Sequence, residues 1–184
     1  MATYTQGSSN ASFTPSGAAN TNNGIYITGT AVPVGEGLTK ATFYINLSST
    51  AATGTFNCLH LASDMSTKQT SSTSYSYSGE SGDKTLEFSF AGAAIAENDY
   101  ILLRNCNASQ TWTQYIYDGG SSSPPFTNMI WSQQQTGTCS SPTQDNKSSK
   151  NAKFIVETGS VPTPSSATRL PPPPIVTGKQ VPVC

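Results

Sequence analysis

The chain has 184 residues and only 10% of them are charged, nine Lys and Arg against ten Asp and Glu for a net charge of -1. Soluble domains carry about 25% charged residues, so solubility here rests on Ser, Thr, Asn, Gln and Gly. No cluster of Lys and Arg exists to displace phosphate counterions, which excludes nucleic acid as a partner class; the longest mostly apolar run, Phe90 to Ala96, is far short of the roughly 20 residues of a membrane-spanning helix, so no membrane insertion is expected.

Residues 1–23, MATYTQGSSNASFTPSGAANTNN, are small, polar and mostly aperiodic, with Tyr4 and Phe13 the only large apolar anchors. They read as an extended N-terminal arm, disordered alone or draped over a neighbour. The start has neither the basic nor the apolar region of a signal peptide, so cytoplasmic synthesis without one is expected. A body over residues 24–159 begins at GIYITGTAVPV, where Ile25 and Ile27 point one way and Pro33 marks an edge strand or bulge. In LTKATFYINL, Leu38, Ala41, Phe43, Ile45 and Leu47 are expected on one face and Thr42, Tyr44 and Asn46 on the other, a half-buried strand. TGTFNCLHLAS puts Phe56, Cys58 and His60 on one face and Leu59 and Leu61 on the other, the mark of an interior strand. A long polar loop or hairpin is expected over MSTKQTSSTSYSYSGESGD.

TLEFSFAG points Leu86, Phe88 and Phe90 inward and Glu87 and Ser89 outward. A turn at Glu97 to Asp99 precedes a strand over Tyr100 to Cys106, QTWTQYIYDGG alternates again, and Asp118, Gly119 and Gly120 signal a turn. One short strand is expected around Met129 to Ser132, then a long loop, then a last strand in AKFIVETG. Residues 160–184 read as a Pro-rich extended tail, whose Pro171 to Pro174 would hold a polyproline II rod about 12 Å long. Nowhere do apolar residues recur at helical spacing for three turns. The fold class is therefore all-β: an antiparallel β-sandwich of about eight strands, a jelly roll by strand count and loop irregularity, with an immunoglobulin-like sandwich as the alternative.

Cys58, Cys106, Cys139 and Cys184 are too widely spaced for a CxxC motif and permit three pairings. A disulfide joining Cys106 to Cys139 would clip the segment between them; four free thiols in a reducing compartment is the other reading. His60 is the only histidine, and its place beside Phe56 and Cys58 makes it structural rather than a general base. A Ser-His-Asp set can be written with His60 and Asp64 or Asp99, but so many serines make this uninformative, and no GxSxG elbow is present. One histidine and scattered cysteines give no zinc spacing. Glu87 and Glu157 are the best carboxylate pair for glycoside cleavage, yet nothing in the sequence brings them together. A turn carrying Glu97 and Asp99 could offer oxygens to calcium, without an EF-hand loop. No catalytic residue, metal or cofactor is assigned.

Tyr75, Tyr77, Trp112, Tyr115, Tyr117 and Trp131 form an aromatic set for which core packing, a subunit interface and a sugar-stacking platform are the alternatives. In the tail, Val176, Val181 and Val183 offer a short strand to a partner, which Cys184 could lock covalently. The expected function is a non-enzymatic structural or decoration subunit of a multimeric assembly. In style it suits a capsid, decoration or fibre component of a virus particle, on a virion or other extracellular particle surface, with termini lacing onto neighbouring subunits, self or heterologous. The alternative is a carbohydrate-binding or adhesion module using exposed aromatics.

Overall fold

A computed structural model describes residues 1–6, 11–13, 21–27, 32–47, 53–105, 112–118, 128–133, 145–147 and 150–163. These residues form strands and no helix. In chain order the strands are β1 (Ala2–Gln6), β2 (Ala11–Phe13), β3 (Thr21–Ile27), β4 (Gly37–Leu47), β5 (Thr53–Leu61), β6 (Thr67–Thr70) and β7 (Tyr75–Ser78). They continue with β8 (Gly82–Ser89), β9 (Asp99–Asn105), β10 (Trp112–Asp118), β11 (Asn128–Gln133), β12 (Asp145–Lys147), β13 (Lys150–Ala152) and β14 (Phe154–Gly159). Every pairing is antiparallel.

Two seven-stranded sheets result. One runs β1-β14-β4-β10-β13, with β8 on the far side of β4 and β2 against β10; the other runs β12-β11-β3-β9-β5-β6, with β7 also on β5. One buried cluster draws on both sheets. It takes Phe43, Ile45, Leu86, Phe88, Trp112 and Phe154 from the first, and Phe56, Cys58, Tyr77, Ile101 and Leu103 from the second. Phe56 meets Trp112 edge-on between the sheets, with ring centroids 5.3 Å apart.

Strand β4 shows how a period-two pattern absorbs an interruption. Leu38 and Ala41 are both buried with Phe43, Ile45 and Leu47, although the step from 38 to 41 is odd. Lys40 pairs with Glu157 and Leu38 with Thr158, so Thr39 is the extra residue of a bulge that resets the phase. Thr39 Oγ1 donates to the Glu157 carbonyl at 3.0 Å and anchors that bulge. Along β5 and β9 the alternate residues are buried too: Leu59, Leu61, Tyr100 and Leu102 form a second cluster with Met65 against it. Their sequences are apolar on both faces because each face is buried, one in the main cluster and the other in this second one.

The strands outnumber the sequence expectation of about eight because polar segments are recruited by their neighbours. TKQT and YSYS, expected in a loop or hairpin, pair with β5 as β6 and β7. Two stretches of the expected N-terminal arm lie in the first sheet: β1 pairs with β14 from Ala2↔Thr158 to Gln6↔Phe154, and β2 pairs with β10. Tyr4 packs against the main core cluster. Backbone pairing with an already formed strand needs little apolar content of its own, so hydropathy alone leaves such segments out.

Candidate functional site

Seven strands are paired on one side only among the described residues: β1, β2, β6, β7, β8, β12 and β13. Such edges expose backbone donors and acceptors that template another strand, and proteins blunt them with charge, proline, bulges, brevity or a covering loop. Six are blunted by shortness or cover. β2, β12 and β13 have three residues each, and β6 and β7 four; β6 also carries Lys68 and a register shift opposite His60 and Leu61. β8 is long, but Asp83, Lys84 and Glu87 lie along it. The Ser89 end of its outer edge is also covered, because Ser72 N–H donates to the Ser89 carbonyl and the Ser89 amide donates to Thr73 Oγ1, each at 2.8 Å.

β1 is different. ATYTQ has five residues, no charge and no proline, and its register against β14 is unbroken. Thr3 and Thr5 are exposed, while Ala2 and Tyr4 are half-buried. The Tyr4 hydroxyl donates to Glu36 Oε2 at 3.3 Å, and the Thr158 hydroxyl donates to the same oxygen. Burial, then the neighbouring Glu36 carboxylate, push the Tyr4 phenol above its usual range. At the Met1 end of the strand lies an open cleft of about 320 Å³ between Met1–Ala2, Gly35–Glu36 and Thr158–Ser160. The exposed large hydrophobic residues of the described chain, Met1 (92% exposed), Val34 (57%) and Val161 (41%), all belong to this neighbourhood: Met1 lines the cleft, and the other two adjoin residues that do. Sequence reading missed this edge; its one signal was the charge-free, β-prone alternation of TYT.

His60, Asp99, Glu87 and Glu157 are committed elsewhere. The Ala93 amide donates to Gln69 Oε1, Gln69 Nε2 donates to His60 Nδ1 at 3.1 Å, and His60 Nε2 donates to Asp99 Oδ2 at 2.7 Å. Asp99 Oδ2 also accepts from Lys68 Nζ at 2.7 Å and from the Ala96 amide at 2.8 Å. Asp99 Oδ1 is buried and has no hydrogen-bond partner among the described residues. His60 is 0% and Asp99 1% exposed, so this network ties β5, β6, β9 and the segment before β9 together and leaves no ring nitrogen for a substrate. The structure thus does bring His60 and Asp99 together, as a buried staple.

Asp99 turns its carboxylate into this network while Glu97 is exposed, so the turn does not offer both to calcium. Among the described residues no three His, Cys, Asp or Glu side chains gather as metal ligands, and no helix is long and apolar enough to cross a membrane. Glu87 and Glu157 do come together, on the outer face of the first sheet, where Lys40 Nζ lies 3.0 Å from one and 3.2 Å from the other. The Glu-Lys-Glu ladder neutralises much of the charge that acid–base work would use.

Of the aromatic set, Tyr77 and Trp112 belong to the core, which removes both from any glycan platform or interface; Tyr77 donates its hydroxyl to Asn105 Oδ1 at 3.1 Å. Tyr75 is half-buried and donates to Glu80 Oε2 at 2.6 Å. Tyr115 and Tyr117 lie on β10 and Trp131 on β11, their side chains outside the described residues. Cys58 is a buried free thiol, raised well above the usual thiol range by burial. Each complete pairing of four cysteines needs Cys58, so at most one intrachain disulfide forms among Cys106, Cys139 and Cys184. Those three, with Val176, Val181 and Val183, lie outside the described residues. No protein-family model, curated protein or solved structure matches the chain.

Proposed function

We propose that this chain is a non-enzymatic structural subunit of a multimeric assembly, a β-sandwich of jelly-roll type whose sheet is continued by a neighbouring subunit along β1. A virus particle, as capsid, decoration or fibre component, is the setting that its charge-poor, Ser/Thr/Asn-rich surface suits. The observation that supports the reading is the contrast between edges: β8 is covered at its Ser89 end by Ser72 and Thr73 and lined with charge, whereas among the described residues β1 is left open, with an unbroken register and no charge. An edge left unblunted in a monomer is an aggregation hazard unless a partner occupies it. The exposed Met1, Val34 and Val161 beside it are the residues that a neighbour would cover.

The test is the mass of the full chain in solution by light scattering, from micromolar to millimolar concentration, with and without reductant. A defined oligomer is expected in both. A monomer at every concentration overturns the assembly reading.

A further inference from the structure

We propose that the occupant of the β1 edge is β1 of a second copy, paired antiparallel about a two-fold axis at Tyr4, so that the first sheet runs continuously through a dimer. This rests on the assembly reading and names its partner and register.

Three features carry it. First, the strand is complementary to itself. With the axis at Tyr4, all five residues pair: Tyr4 faces its own copy, Thr3 faces Thr5 twice, and Ala2 faces Gln6 twice. Any other axis leaves residues of β1 without a partner. Threonine pairs and aromatic pairs are favourable cross-strand neighbours, and no charge meets its like. An isologous contact of this kind is the commonest way for identical chains to associate. Second, the faces match. Tyr4 packs against the core cluster while Thr3 and Thr5 are exposed on the other side, so the two copies would set core side against core side and hydroxyl side against hydroxyl side. Third, the antiparallel arrangement brings the Met1 end of one strand to the Gln6 end of the other. That places the second copy's chain beside the cleft and its exposed Met1, Val34 and Val161.

The register can be read by charge. Thr3 is the cross-strand partner of Glu157 on β14, so lysine is accommodated there within the subunit, and both threonines are exposed. In Thr3→Lys/Thr5→Lys both Thr3–Thr5 pairs across the axis become lysine against lysine. The dimer should weaken on the order of tenfold or more, with the circular dichroism and unfolding midpoint of the subunit retained. In Thr3→Lys/Thr5→Glu both of these pairs become lysine against glutamate, and dimerisation should return to within a few fold of the wild type. The rescue separates lost pairing from lost folding, since both variants change the same two exposed positions.

Sedimentation equilibrium on the three proteins reads the outcome. A wild-type oligomer indifferent to Thr3→Lys/Thr5→Lys overturns the β1 contact and leaves the assembly reading standing on another surface. If both variants are folded and monomeric, the Tyr4-centred register is wrong. A monomeric wild type overturns the inference together with the reading on which it rests.

Discussion

Thr73 Oγ1 accepts the amide proton of Ser89 at 2.8 Å across the outer edge of β8, doing with a loop side chain what another strand would otherwise do. Ser72 adds a backbone donor to the Ser89 carbonyl. Thr73→Val removes the acceptor and keeps the shape. Because Thr73 is exposed, water replaces part of the bond, and the expected loss is about 0.5–1.5 kcal/mol in urea denaturation. Self-association along β8 should remain absent, because Asp83, Lys84 and Glu87 still line the strand. A variant that gains an oligomer would show that the loop, and not the charge, closes this edge.

The N-terminal strands are a second test of what belongs to the body. β1 and β2 fill places beside β14 and β10, and Tyr4 contributes to the core cluster. A chain beginning at Thr14 should lose on the order of 2–4 kcal/mol against the full chain, from lost ladder bonds and lost burial. It should also aggregate more readily, since β14, with Phe154 and Val156 in its core face, becomes the new edge. Equal urea midpoints for the two chains would return residues 1–13 to the status of a dispensable arm.

The sequence was legible where burial imposes a period. The core faces of β4 from Ala41 onward and of β8 follow from alternation alone: Ala41, Phe43, Ile45 and Leu47, and Leu86, Phe88 and Phe90, are all buried, while Leu38 joins them across the Thr39 bulge. The two-faced burial of β5 follows from its apolar residues on both faces. Segments held by a neighbour's backbone were not legible, because TKQT, YSYS and ATYTQ bring little apolar pattern of their own. The edge at β1 was hidden for the same reason: whether a strand is paired on one side or two depends on topology, which local composition does not carry. His60 shows the intermediate case. Its burial followed from Phe56 and Cys58, four and two residues away, but Asp99, Lys68 and Gln69 come from other elements, and one histidine among many acidic residues does not select its partner.

Gly37 makes a contact that depends on having no side chain. A Cβ built there would stand 2.5 Å from the Gly92 carbonyl oxygen and 3.1 Å from its carbon, and Gly92 itself has φ of +89° with Pro162 close by. The two Gly92 atoms and the Ser160 carbonyl oxygen, 3.2 Å away, are all backbone, so relief requires moving the start of β4 away from the segments after β8 and β14. Gly37→Ala should cost about 1–3 kcal/mol, measured as a lower urea midpoint with an unchanged m-value. A neutral result would mean that residues 91–94 shift without loss.

The buried Asp99 predicts a dependence on pH whose direction can be worked out. Burial acts to raise its carboxyl, but the bond from His60, the Ala96 amide and the Lys68 ammonium together outweigh it and leave the group below the ordinary value of 3.8. A carboxylate with a lowered value binds protons more weakly folded than unfolded. Its contribution is therefore fully present above 3.8 and is lost as the pH falls through the folded value. Asp64 and Glu80 are lowered as well, by bonds to Ser66 and Lys84 first, and act in the same direction from an exposed and a half-buried position. Asp99→Asn leaves Lys68 and His60 without their anion and places an amide N–H₂ in a buried site where one oxygen already has no partner among the described residues. Removing one member of such a pair costs about 3–5 kcal/mol at neutral pH. The difference between variant and wild type in urea denaturation should then shrink below pH 3.8, as the wild-type carboxyl takes up its proton. A difference that stays constant down that range would show that the network contributes through packing and not through the charge on Asp99.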